Sequence, residues 1–255
     1  LGKLTALAES NLERDWQSYV IFVLEDTRRA DILFQVSDNT WQAYNRWPDN
    51  FSLYTDPRHP WAPGVAASFD RPYGKYPQIF TEHALSMGSG EFLLWEYPLL
   101  YWLEQQGFDV TYTSNSSMLD ASAFTRARVF LSVGHDEYWD PRQYDAALAS
   151  VRAGVTHLYL SGNSVMGVTP LLPAADGRAL RRLSREGVYG GLYGGFRDWL
   201  KLPFSREGPK ANQLMGVHSI YPFNGGGDWI CDHPRHWLFA GTGMKRGDAI
   251  PGLVG

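Results

Sequence analysis

The run Val129-Phe-Leu-Ser-Val-Gly-His-Asp-Glu-Tyr-Trp139 constrains this chain more than any other feature. Residues 129–133 are a short apolar run and read as a buried strand. Gly134 ends it, and His135, Asp136, Glu137 and Tyr138 follow in consecutive positions. In an open α/β sheet, ligands bind at the carboxyl ends of the strands. The polar cluster therefore falls where such folds place their chemistry. Imidazole, carboxylate and phenol are all metal ligands or proton carriers. A plainer use competes, because carboxylates also favour the first turn of a helix, and a helix is predicted to begin near Pro141.

The flanking pattern sets the fold class. Strands are predicted at 19–24 and at 30–36, the second ending in the turn signal Ser-Asp-Asn. Residues 91–106 carry a helical stripe of Phe92, Trp95, Leu99, Leu100 and Leu103. Pro98 should kink that helix or delay its start, and Gly107 suits its end. Strands follow at 108–112 and 128–133. Asp140 as N-cap and Pro141 at the first helical position start a helix over 141–152, and a strand follows at 157–161. Strands alternating with helices predict an α/β domain with a parallel sheet covered on both faces.

Two regions are less periodic. Residues 41–80 are rich in Pro, Trp, Tyr and Asp, and are predicted to be a loop region roofing the site. The Gly-rich stretch 170–255 is predicted to form loops and short antiparallel strands. Residues 1–255 are read as a single domain, cut from a longer chain.

Composition excludes several classes. The chain has 255 residues, 44% of them hydrophobic, and a net charge of −4. No basic block runs along it, which argues against a nucleic-acid partner. No run approaches the roughly 20 apolar residues of a membrane span. Cys231 is the only cysteine, so no internal disulfide or Cys/His zinc spacing exists; it reads as a small buried residue beside Trp229. The cytoplasm is the favoured compartment. Ten Trp, fourteen Tyr and thirteen Phe suit either an enzyme pocket or a carbohydrate-binding surface.

In Trp41-Gln-Ala-Tyr-Asn-Arg-Trp47, Tyr44 is either a ligand or donor in a pocket wall, or part of a loop pinned by aromatics. A phenolate is an unusual metal ligand that suits a hard, oxidised iron. Arg71 pairs with Asp70 or with a site carboxylate, and a surface turn is favoured there. Ser164 lies in Gly-Asn-Ser-Val-Met, which lacks the second glycine of a nucleophile elbow. No cysteine is near, so a covalent nucleophile is rejected, while Asn163 remains a donor for an oxyanion. His233 and His236 are split by Pro234, and 237–240 reads as a strand, which makes a metal role there weak.

Several blocks together resemble a known family. Phe22-Val-Leu-Glu-Asp, Asn39-Thr-Trp-Gln-Ala-Tyr-Asn45, Ser68-Phe-Asp-Arg-Pro-Tyr73, Val133-Gly-His-Asp-Glu-Tyr-Trp139 and His236-Trp-Leu-Phe-Ala-Gly-Thr-Gly243 resemble the C-terminal domain of the large (beta) subunit of N,N-dimethylformamidase. The resemblance runs from about residue 17 to the end. It implies a flavodoxin-like parallel sheet of the class I glutamine amidotransferase-like kind. It implies a non-haem ferric iron held by two tyrosines and one glutamate, and hydrolysis of a small amide. Glu137 matches the glutamate and Tyr44 one tyrosine; Tyr54 or Tyr19 is the second. His135 and Asn163 match polar residues beside the metal, as proton carrier and oxyanion donor. A small partner subunit and a homo-oligomer are further expectations. The competing reading is a non-catalytic amidotransferase-like module that binds a carbohydrate or a partner protein.

Overall fold

The computed structural model describes residues 2–6, 18–48, 50–58, 60, 62–74, 88–190, 206–217 and 226–254. Parts of the 41–80 region, and Gly191, Gly194, Gly195 and Gly225, lie outside these described residues.

An N-terminal ribbon pairs β1 (Gly2–Ala6) with β2 (Ser18–Phe22). β3 (Ala30–Val36) leads into α1 (Asp38–Tyr44), and β4 (Val65–Ser68) follows. A π-helical turn, Phe92–Glu96, runs directly into α2 (Tyr97–Gln105). Then come β5 (Val110–Ser114), the short α3 (Ala121–Phe124), β6 (Ala127–His135), β7 (Tyr138–Trp139), α4 (Pro141–Arg152) and β8 (Thr156–Gly162). Further described elements are β9 (Gly167–Val168), β10 (Leu171–Leu172), β11 (Arg182–Arg185), β12 (Gly187–Gly190), β13 (Arg206–Lys210), α5 (Ala211–Met215), β14 (Gly226–Ile230) and β15 (Ala249–Val254).

The central sheet has four strands in the order β5-β3-β6-β8, all parallel. Alternation within β3 explains why both faces are covered. Ile32, Phe34 and Val36 join Trp41, Phe92, Leu100 and Leu103 on the α2 side. Leu33 joins Phe124, Phe130, Tyr144 and Ala147 on the α3–α4 side. A third cluster, with Leu53, Val65, Ala67, Tyr138 and Leu183, ties the loops to β4 and β11. The next sheet strand after β3 is β5 on one side, whereas β6 leads to β8 on the other. Strand order thus reverses between β3 and β6, and a crevice at such a switch point is where α/β sheets bind ligands.

Local signals explain the elements that matched. The Asp140 side chain accepts the Arg142 N–H at 2.8 Å, with Pro141 in the first turn. Ala30–Val36 forms as predicted. The helix predicted over 91–106 divides instead: Pro98 sits in the first turn of α2, and a π turn precedes it. That wider turn shifts the phase of the stripe, so Phe92, Leu100 and Leu103 are buried while Trp95 is exposed.

The 41–80 region is not one long loop. α1 reaches Tyr44, and β4 pairs with β11. α1 escaped detection because Asn39, Thr40, Trp41, Gln42 and Ala43 are all buried; a helix buried on every side shows no amphipathic period. Within 170–255, β10–β11 and β14–β15 pair antiparallel, as expected, but β12–β13 pair parallel. Residues Trp237–Phe239 form an exposed 3-10 turn and not a strand. Among the described residues no helix is long and apolar enough to cross a membrane.

Phe130 is fully buried and meets Phe124 and Trp139. Phe130→Ala is expected to lower unfolding free energy by about 3–5 kcal/mol in urea titration. A loss under about 1 kcal/mol would show that the β6 face is not the core.

Candidate functional site

At the switch point three segments converge. The end of α1 brings Tyr44, the loop after it brings Tyr54, and the β6–β7 junction brings His135, Glu137 and Tyr138. The loop is fastened in two ways. Leu53 N–H donates to the Ala43 carbonyl at 3.0 Å. The buried Arg185 guanidinium donates to the carbonyls of Leu53 (2.6 Å), Pro60 (2.8 Å) and Ala62 (3.2 Å). The same guanidinium carbon lies 5.2 Å from the centre of the Tyr54 ring. Thr40 fixes the opposite side, its hydroxyl accepting the Glu137 N–H at 3.0 Å.

The result is a compact cluster of phenols around one carboxylate. The Tyr44 hydroxyl donates to Glu137 Oε2 at 2.6 Å. The Tyr54 hydroxyl lies 2.7 Å from the Tyr44 hydroxyl and 3.3 Å from Glu137 Oε1. It also makes a short contact with the Tyr138 hydroxyl. The Tyr44 and Tyr54 rings stack with centres 4.4 Å apart. His135 Nε2 is 3.2 Å from Glu137 Oε2 and 3.4 Å from Asn163 Nδ2. Its Nδ1 faces Glu91 Oε2 at 3.5 Å. The structure therefore brings together Tyr44, Tyr54, His135, Glu137 and Asn163. Tyr19 lies in the N-terminal ribbon, opposite Thr5.

Asn163 is exposed and holds a left-handed backbone (φ 48°), as does the buried Val165 (φ 55°). Asn tolerates this conformation, but a β-branched residue does so only when its surroundings enforce it. Here Val165 N–H is tied to the Asp136 carbonyl at 3.1 Å, and Met166 and Gly167 N–H to the Glu137 carbonyl. Ser164 turns its hydroxyl to the Ser161 carbonyl at 3.0 Å, a turn contact.

Asp136 parts company with its neighbours. Its carboxylate accepts from Gln35 (2.7 Å), Ser132 (2.8 Å) and Asn115 (3.1 Å) inside the sheet, and Gln143 supports Gln35 at 2.8 Å. Among the described residues Arg71 pairs with no carboxylate; it donates to the carbonyls of Gln42, Trp47 and Phe51 and so clasps the segment after α1. Asp70 instead meets Arg178 and Arg181. His233 and His236 lie in the exposed C-terminal segment, far along the chain from the cluster.

Burial dominates the electrostatics. It raises the Tyr44 and Tyr54 phenols well above their ordinary values, and the Glu137 charge adds to this. Burial opposes the positive form of His135, yet contacts with Glu137 and Glu91 outweigh it and raise the imidazole to about 10. Burial lifts Asp136 to about 6 and Asp38 to about 7, and Glu96 well above the usual carboxylate range.

Residues 7–255 match the model of the family described as N,N-dimethylformamidase beta subunit-like, C-terminal, and the chain belongs to that family. A comparison with curated proteins finds no match.

A carboxyl raised by folding holds its proton more tightly in the folded state, so stability is greatest at low pH and is lost as pH rises. For Asp38 the window runs from its ordinary value, 3.8, to about 7. Asp38→Asn is expected to flatten the fall in melting temperature between about pH 5 and pH 7. An unchanged slope would show that folding does not hold Asp38 as a neutral acid.

Proposed function

We propose that this chain is a metal-dependent hydrolase of small amides, with a ferric ion held by Tyr44, Tyr54 and Glu137. One observation carries the reading: two part-buried phenol oxygens and one buried carboxylate meet within 2.6–3.3 Å of one another. Membership of a dimethylformamidase-related family points to the amide bond.

The donor set fits the group. Among the described residues there is no metal-holding group of three His, Cys, Asp or Glu side chains, so a cation here takes phenol oxygens as donors. Hard oxygen donors select hard cations. Because burial raises both phenols, their protons leave only to a strong Lewis acid. Ferric iron would supply that Lewis acidity, polarising the amide carbonyl and easing deprotonation of water.

The chain's own residues then divide the work. Asn163 Nδ2, at the exposed edge, is a donor for the carbonyl oxygen as charge develops on it. With Glu137 engaged by a bound cation, the pull that raises the imidazole in the metal-free chain would fall, and His135 Nε2, between Asn163 and Glu137, would take a proton from water and return it to the leaving nitrogen. Tyr138 holds Tyr54 by their short hydroxyl contact, and Arg185 holds the loop that carries Tyr54. The stacked tyrosines limit solvent around the acid. The strand order β5-β3-β6-β8, which is 2-1-3-4 in chain order, supports a flavodoxin-like, amidotransferase-like sheet. The beta-subunit name of the family supports assembly with a small partner subunit.

Protein loaded with ferric iron is expected to show a visible phenolate-to-iron absorption band and to hydrolyse formamides. Tyr44→Phe and Tyr54→Phe should each weaken the band, and Asn163→Ala should lower kcat by about 10²–10³ while the band persists. A double Tyr44→Phe, Tyr54→Phe variant with an unaltered band would contradict this assignment.

A further inference from the structure

Glu91 is fully buried, and among the described residues neither of its carboxylate oxygens has a hydrogen-bond partner. His135 Nδ1 is likewise buried and without a hydrogen-bond partner among the described residues. These orphaned atoms face one another, Nδ1 lying 3.5 Å from Glu91 Oε2. An unsatisfied buried polar group costs about 1–3 kcal/mol, more when charged. Two such groups directed at each other are a hydrogen bond waiting to be drawn closed.

The backbone is built to bring them together. Gly134 has φ +83° just before His135, and a Cβ there would stand 2.8 Å from the Trp95 Cβ. Only a glycine lets the end of β6 approach the π turn this closely. On the other side Gly90 has φ +58°, and a Cβ would stand 2.8 Å from the Trp41 ring. Glu91 is thereby pressed inward at the head of the π turn, where it accepts the N–H groups of Leu94 and Trp95 with its carbonyl. π-helical turns recur at functional sites because they redirect side chains. Trp41 seals this arrangement by donating to the neighbouring Glu96 at 2.9 Å.

We propose that Glu91 is the positioning residue of this site: it accepts the Nδ1 proton of His135 and leaves Nε2 directed at Glu137 and Asn163. The bond made by one imidazole nitrogen decides which nitrogen carries the proton and how the ring is oriented. Glu91 touches no reacting group and acts through the imidazole alone. The effect on turnover rests on the amide-hydrolase reading; the ring contact does not.

The test separates the two. Long-range ¹H–¹⁵N spectra of the metal-free protein, with His135 assigned by the loss of its signals in His135→Gln, should show Nδ1 protonated. In Glu91→Leu that Nδ1 signature should be lost, while Glu91→Gln, whose amide oxygen still accepts, should retain it. In the iron-loaded protein Glu91→Leu should lower kcat about 10–100-fold with KM within about twofold, and Glu91→Gln should recover most of it. A bare Nδ1 with a protonated Nε2 in the unsubstituted protein would overturn the proposal, whether or not the leucine variant folds. So would an unchanged Nδ1 signature in a folded Glu91→Leu. Absence of amide hydrolysis in the unsubstituted protein would defeat the amide-hydrolase reading and leave the spectra to decide Glu91.

Discussion

Buried negative charge is the constraint on which the rest of this structure depends. Glu91, Glu96, Asp136 and Glu137 are all inaccessible to solvent at the carboxyl end of the central sheet. An isolated buried carboxylate is costly unless it is paired, hydrogen-bonded or neutralised. Each acid here meets that demand differently. Asp136 is absorbed by three side-chain donors within the sheet. Glu96 takes the Ser37 N–H and the Trp41 indole on one oxygen and is held toward its neutral form by burial. Glu137 is met by phenols and the His135 imidazole. Among the described residues the Glu91 carboxylate faces His135 alone.

That division separates scaffold from chemistry. A fully satisfied acid such as Asp136 rigidifies the junction of β3 and β6. An acid met by phenols, with His135 and the exposed Asn163 beside it, keeps donors for something else. Consecutive residues of an extended chain point to opposite sides, so Asp136 turns into the sheet while His135 and Glu137 turn to the crevice. Arg185 completes the arrangement from behind, fastening the Tyr54 loop through three carbonyls.

Much of the frame was legible in the chain because its signals are local. β3, and α4 with its Asp140 cap, follow from apolar runs and turn chemistry a few residues long. α1 was hidden because burial on every side erased its period. The site was legible only in part. His135 and Glu137 are marked by their place after a buried strand. Tyr44 stands 93 residues from Glu137 and Tyr54 stands 83, distances that no spacing rule spans; only the family resemblance pointed to a second tyrosine, with Tyr54 ahead of Tyr19. Glu91 read as an ordinary helix start, although Gly-Ser-Gly before it signals an unusual entry. Tyr138 was visible in the motif without a role, and Arg185 lay in a stretch with no period to single it out.

The central claim is that Tyr44, Tyr54 and Glu137 form one cation site at the switch point of the sheet. Anomalous diffraction at the iron edge, from crystals of the protein loaded with ferric iron, tests it most directly. The account predicts a single strong peak among the two phenol oxygens and the Glu137 carboxylate, with the Tyr44–Glu137 hydrogen bond replaced. A peak elsewhere, with the phenol–carboxylate hydrogen bonds intact, would contradict it.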